Sequence, residues 1–296
     1  MVRSEYRWLD VVGGCDAARR RRWHLRKDLI VTSSSSIDHA ARFRALHHGA
    51  ALVLPNAWDA ASAALVEAAG AQAIATTSAG VSWANGAPDG SGLGREAMAG
   101  AVARIVAAVR VPVTADIEGG YGDVAATVRA VIQAGAVGVN LEDSPGSPLL
   151  PAAEQAARIA AARAAADAEG VDLFVNARTD VYLAGVPGDQ VAEVEERARV
   201  YAEAGADGLF VPGLLDLDVI ARLAKGPLPL NVMAGPGAPP VAELAAAGVA
   251  RVSVGSAIAQ SAYAVAARAA AELLGDGTYG TLADGLTYGT LNDTLR

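Results

Sequence analysis

Acidic side chains in this 296-residue chain gather at the ends of short apolar runs, the pattern that oxygen ligands of a hard cation would take. The segment Thr114-Ala115-Asp116-Ile117-Glu118-Gly119-Gly120 sets two carboxylates two positions apart, and on a strand such residues face the same way. Neighbouring carboxylates repel unless a proton or a cation joins them. Gly119 and Gly120 would let the backbone close on a bound ligand. Asn140-Leu141-Glu142-Asp143 and, in the stretch 78–90, Asp89 supply further oxygen donors. Asp116, Glu118, Glu142 and Asp89 together describe a Mg2+ or Mn2+ site with carboxylate and water ligands. Taken singly, Asp89, Glu118 and Asp143 read equally well as capping or turn-forming acids. Arg178, in Asn176-Ala177-Arg178-Thr179-Asp180, suits a bidentate grip on a substrate carboxylate or an ion pair with Glu142 or Asp180. Asn231 is expected to line the same pocket.

Composition removes the competing chemistries. The chain has two lysines (Lys27, Lys225), one cysteine (Cys15) and four histidines (His24, His39, His47, His48), and everything except Lys225 precedes residue 50. A site in the body of the chain therefore has no imidazole base and no thiol, which argues against His-ligated zinc and against Ser-His-Asp or Cys-His catalysis. Lys225 stands near a helix end and is a poor Schiff-base candidate. One cysteine forms no internal disulfide, and no long apolar stretch suggests a membrane span. The expected protein is soluble and cytoplasmic. Residues 1–36 hold 8 Lys+Arg and 4 Asp+Glu, against 16 and 28 in the remainder. The first part is expected to be a basic, disordered extension, and the acidic body does not suit a nucleic-acid backbone.

The elements that must position these residues follow from periodicity. From residue 51, β-rich runs alternate with Ala-rich helical stretches: Ala51–Leu54, Ala73–Thr77, Val111–Ile117, Val137–Leu141, Leu173–Ala177, Gly208–Val211, Leu228–Met233 and Arg251–Val254. These runs are continuously apolar, as in a parallel sheet covered on both faces. Eight strand–helix units predict a single (β/α)8 barrel over residues 37–296 with a C-terminal helical segment, a doubly wound sheet being the alternative. The motif Ala-Gly-Ala/Val at Gly70, Gly135, Gly205 and Gly248 ends a helix before every second strand. Barrel active sites lie at the C-terminal strand ends, where the acids and Arg178 fall.

The motifs resemble those of the isocitrate lyase/phosphoenolpyruvate mutase superfamily over most of the chain, from Leu54-Pro55-Asn56-Ala57-Trp58-Asp59 to Arg251-Val252-Ser253-Val254-Gly255. Asp116-Ile-Glu118-Gly-Gly-Tyr-Gly122 is similar to the family's D-x-D-x-G-[YF]-G, with Glu for the second Asp. Leu141-Glu142-Asp143 and Ala177-Arg178-Thr179-Asp180 are similar to its I-E-D and A-R-T-D segments, and Gly86-Ala87-Pro88-Asp89 to a loop that supplies a further acid. The resemblance implies Mg2+ held by Asp116, with Asp89, Glu118 and Glu142 contributing directly or through water. It also implies a substrate carboxylate gripped by backbone around Ser78, Ala79, Gly80 and Val81, and charge neutralised by Arg178. Asp116, Glu142 and Arg178 are then the catalytic set.

Family lyases carry a K-[KR]-C-G-H loop after the fourth strand, and mutases place Lys and Asn there; this chain reads Ser144-Pro-Gly-Ser-Pro-Leu-Leu-Pro151. The expected activity is Mg2+-dependent cleavage of a C–C bond in a small 2-oxo or 2-hydroxy (di)carboxylic acid through a metal-stabilised enolate. The alternatives are phosphoenolpyruvate/phosphonopyruvate mutase or hydrolase chemistry, and a catalytically weak barrel that binds metal and carboxylate. Ala-rich helical faces at 156–166 and 262–271 point to a homo-oligomer.

Overall fold

The computed structural model describes residues 34–90, 92–145 and 148–295. The extension expected over residues 1–36 lies outside the described residues up to residue 33, and helix α1 (Ser34–Ala45) takes up its last three positions. Then follow β1 (Leu52–Leu54), β2 (Asn56–Ala57), α2 (Ala60–Ala68), β3 (Ile74–Thr76), α3 (Ser78–Ala84), α4 (Arg95–Ala108), β4 (Val113–Asp116) and α5 (Val124–Gln133). The second half comprises β5 (Gly138–Glu142), α6 (Ala152–Ala168), β6 (Phe174–Arg178), α7 (Gln190–Glu203), β7 (Gly208–Val211), α8 (Leu217–Leu223), β8 (Leu230–Met233), α9 (Val241–Ala246) and β9 (Arg251–Ser253). Helix α10 (Ala257–Gly275), a 3-10 turn (Gly280–Leu282) and α11 (Tyr288–Thr294) complete the chain.

All strands are parallel, in the order β1-β9-β8-β7-β6-β5-β4-β3-β2. This is the expected (β/α)8 barrel, and the pairing of β1 with β9 excludes the open sheet. The first strand, expected to end at Leu54, resumes at Asn56–Ala57 after a break at Pro55, which has no N–H for a ladder. Asn56 bridges the division: its Nδ2 donates to Thr76 O at 3.0 Å and its Oδ1 accepts Val254 N–H at 3.0 Å. The four repeat glycines end their helices in the left-handed region, with φ of 99°, 94°, 96° and 96°. Asp59, Asp123, Asp189 and Asp216 accept N–H groups at the starts of α2, α5, α7 and α8, so these acids are structural caps, worth about 1 kcal/mol each. No helix among the described residues is long and apolar enough to cross a membrane.

Helix α1 packs over the end of the barrel where the strands begin. The Phe43 ring lies 5.6 Å from that of Phe174, the first residue of β6, and the His47 ring stacks on Phe174 at 3.9 Å. His47 bonds Phe43 O through Nδ1, and burial, reinforced by the Arg251 charge, lowers its pKa to about 4. Asp143, completely buried after β5, ties β6 and α7 to that strand: it accepts from Arg197 Nη1 at 2.9 Å, Tyr201 OH at 2.8 Å and Asp180 N–H at 3.0 Å. Its reading as a structural acid is the one the geometry supports.

Two outcomes are expected. Asp143→Ala leaves the buried Arg197 guanidinium with Glu193, on the surface side, as its one charged partner and should lower unfolding free energy in urea by about 3 kcal/mol. His47 gains a proton on unfolding between pH 6.5 and about 4, so its stabilising contribution is full above pH 6.5 and is lost as pH falls through that window. Between pH 7 and pH 5 the unaltered protein should therefore lose about 2 kcal/mol more stability than His47→Phe. Equal losses would contradict the assignment.

Candidate active site at the strand ends

Strands β4, β5 and β6 end side by side, with Asp116 in register with Asn140, and Glu142 with Arg178. Beyond their ends opens a cavity of about 510 Å3, lined on its acidic side by Asp89, Glu118, Glu142 and Asp180, with Arg178 and Tyr121 among its other walls. That volume accommodates a small di- or tricarboxylate with hydrated metal. Arg178 reaches Glu142 Oε2 through Nη1 at 2.9 Å and grips Asp180 through Nε and Nη2 at 2.6 and 2.9 Å. Both ion pairs considered for Arg178 are thus formed together. Asp116 accepts the Ser78 N–H at 3.2 Å and the Glu118 N–H at 3.4 Å, while its own N–H donates to Thr76 Oγ1 at 2.8 Å.

Glu118 arrives by a different route from the one expected. β4 stops at Asp116, so the two acids do not share a strand face; Glu118 instead adopts φ 48° and Tyr121 φ 49°, a left-handed excursion that swings both side chains to the cavity. Tyr121 OH then donates to Glu118 Oε1 at 2.6 Å. Gly119 is required by closeness, because a Cβ there would lie 2.3 Å from that of Pro145 on the neighbouring loop. Arg158 fastens the two loops from outside, donating to Gly119 O and, at 3.3 Å, to Glu142 O.

Burial pushes Glu142 up to about 8, Asp116, Asp180 and Glu118 adding to the effect against the pull of Arg178. Burial likewise raises Asp89, with Asp116 adding to it, and raises Glu118 against the Tyr121 hydrogen bond. Burial acts to lower Arg178, but Glu142 and Asp180 outweigh it and hold the guanidinium charged. Tyr121 is raised by burial and by Glu118, so it remains a hydrogen-bond donor. These acids attract positive charge, whether proton or cation.

The donor set is all oxygen, which fits Mg2+ or Mn2+. Among the described residues no three acids stand close enough to enclose an ion by themselves.

The remaining sequence candidates fall in different places. Ser78 lines the cavity, with Gly119 on its rim. Ala79, Gly80 and Val81 belong to helix α3, not to the long loop expected there, since Thr77 in extended conformation starts a helix that runs to Ala84. Val81 N–H is consumed by Thr77 O at 3.0 Å, and Gly80 packs so closely that a Cβ would meet that of Trp58 at 2.7 Å. Gly120 turns the loop at φ 79° beneath Val124. Asn231 lies inside the barrel, away from the cavity lining, its amide donating to Arg251 O at 3.0 Å and its Oδ1 accepting from Asn176 at 3.0 Å. Tyr121, Ser144 and Asp180 are cavity residues to which the sequence reading gave no site role. Ser144 donates to Asp180, and only the fold brings that pair together.

Residues 43–274 match the sequence profile of the phosphoenolpyruvate phosphomutase family. An uncharacterised Mycobacterium tuberculosis protein is 42% identical over 238 residues, 79% of this chain and 89% of that protein. A Burkholderia cenocepacia structure named provisionally as a lyase/mutase is 40% identical, with a TM-score of 0.82 over 88% of this chain and 97% of its own. Oxaloacetate acetylhydrolase, solved with the inhibitor 3,3-difluorooxaloacetate, is 27% identical with a TM-score of 0.78, covering 88% and 93%. With the acids and Arg178 at the ends of adjoining strands of one barrel, the chain belongs to the phosphoenolpyruvate phosphomutase family, within the isocitrate lyase/phosphoenolpyruvate mutase superfamily of lyases and mutases that act on small carboxylates.

Proposed function

We propose that this protein is a Mg2+- or Mn2+-dependent lyase that cleaves a C–C bond in a small 2-oxo or 2-hydroxy (di)carboxylic acid through an enolate. The observation that carries the reading is the convergence of Asp89, Glu118 and Glu142 with Arg178 on one cavity, beside Asp116. A divalent cation held there would supply Lewis-acid stabilisation for the negative charge that cleavage leaves on oxygen. In this reading Asp116 would hold the ion, with Asp89, Glu118 and Glu142 contributing directly or through water. Arg178, kept charged and oriented by Glu142 and Asp180, meets the substrate carboxylate with its guanidinium edge. Ser78, the first residue of α3, lies on the cavity wall, and in this reading the substrate's second carboxylate would sit against that end of the helix. Tyr121 holds the Glu118 carboxylate at the cavity through its hydroxyl.

The family profile and the provisional name of the Burkholderia protein favour one second reading, P–C bond chemistry on phosphoenolpyruvate or phosphonopyruvate. The same cation and Arg178 would serve it. The short connection after β5 offers neither the Cys and His of the lyase loop nor the Lys of the mutases. A barrel that binds metal and carboxylate without turnover is therefore the outcome to exclude.

Screening 2-oxo and 2-hydroxy acids with Mg2+ should reveal a C–C cleavage that EDTA abolishes and oxalate inhibits. Asp116→Ala should lower its kcat/KM by at least about 100-fold with an unchanged melting temperature. Turnover indifferent to EDTA and to that substitution would sink the reading. Phosphorus NMR with phosphonopyruvate decides for P–C chemistry if the phosphorus resonance moves, and tight oxalate binding without any turnover decides for the binding barrel.

The proposed assembly is a homo-oligomer built through α10. Of its nineteen residues only Ala259 is buried, and Tyr263, Val265, Leu273 and Leu274 stand exposed. The single cysteine fits a reducing, cytoplasmic setting. Light scattering should give more than one chain per particle, and Val265→Asp with Leu274→Glu should give one; a monomeric unaltered protein would refute the assembly.

A further inference from the structure

Barrels of this kind are usually filled by branched apolar side chains, but the layer below this site is polar. Asn176 Nδ2 donates to Asn140 Oδ1 at 2.9 Å and to Asn231 Oδ1 at 3.0 Å, and Arg251 Nη2 reaches Asn140 Oδ1 at 3.2 Å. All four residues are buried. Asn140 and Asn176 each precede a mouth residue, Glu142 and Arg178, by two positions on the same strand, so the amide lattice lies directly beneath the mouth.

Arg251 is 1% exposed, and its Nε and Nη1 have no hydrogen-bond partner among the described residues. It forms no ion pair there either. An isolated buried guanidinium is costly, and cores seldom keep one without a compensating charge. Burial lowers Arg251 to about 9, and the charge of Asp116, which is in register with Asn140, opposes that shift. Asp116 in turn has only N–H groups for direct partners, because Arg178 is engaged by Glu142 and Asp180. The cavity thus sets Asp89, Glu118, Glu142 and Asp180, with Asp116 beside them, against Arg178 as its one lining guanidinium, a trap for a cation and a repulsive entrance for an anionic substrate.

We propose that Arg251 is a positioning residue for this site, the buried counter-charge of the acidic mouth, which holds back cation affinity and strengthens affinity for the carboxylate ligand. The inference rests on the metal-dependent reading above. A fixed positive charge under low-dielectric cover acts over several ångströms without touching either ligand. Its two effects must have opposite signs, since the ligands have opposite charges. A merely structural role in the lattice would weaken both bindings together.

The test is calorimetry on the full chain, titrating Mn2+ into the protein and then oxalate into the Mn2+-loaded protein. Arg251→Met should bind Mn2+ roughly three- to tenfold more tightly and oxalate weaker by a similar factor, while Arg251→Lys, which keeps the charge, stays near the unaltered protein. If Arg251→Met melts too low to titrate, Arg251→Gln, which can retain a hydrogen bond to Asn140, serves the same comparison. Both affinities falling together, or neither changing, overturns the inference and leaves the metal reading standing. An unaltered protein that binds no Mn2+ overturns both.

Discussion

Like charge gathered in one place is the constraint on which this architecture depends. Asp89, Glu118, Glu142 and Asp180 line one cavity, with Asp116 beside them, and carboxylates so placed raise one another's proton affinity. The fold meets that cost from several directions. Arg178 spans Glu142 and Asp180, the α3 backbone donates to Asp116, Tyr121 donates to Glu118, and Arg251 lies below. An assembly of this sort persists only on rigid supports, and parallel strands bonded on both sides provide them.

Each central strand serves two neighbourhoods because its side chains alternate. Along β5, Asn140 and Glu142 belong to the lattice and the mouth, while the completely buried Leu141 packs in the hydrophobic core. Asp143, one step beyond the strand, is sealed with Arg197 and Tyr201. The consecutive acids Glu142 and Asp143 therefore do unrelated things, one facing the cavity and the other tying α7 to the barrel.

A shared barrel does not dictate a shared reaction. Here the connection after β5 brings Ser144 and Pro145 to the cavity and presses Pro145 against Gly119. Asp116, Glu142 and Arg178, which carry the proposed reading, sit on strands, whereas Ser144 and Pro145 sit on a loop, the kind of segment that varies most freely.

The fold was legible in the sequence because its signal is local: continuous apolar runs, helix-ending glycines at four repeats, and acids at strand ends all depend on residues near each other in the chain. Asp116, Glu142 and Arg178 could be assigned to strand ends for the same reason. The route of Glu118 could not, because a strand template assumes extended backbone, whereas the chain at 118–122 takes left-handed conformations where Gly119 lies close against Pro145 of a loop distant in sequence. Nor could the helical state of residues 78–84, a short segment without periodicity that is held by burial against Trp58 and Ala259. Asn231 was expected in the pocket and lies in the lattice, and Arg251 gave no sign of its place. Whether a strand residue faces ligand or lattice depends on its height along the barrel axis. Strand stagger sets that height, and stagger is a property of the closed sheet, not of any one segment.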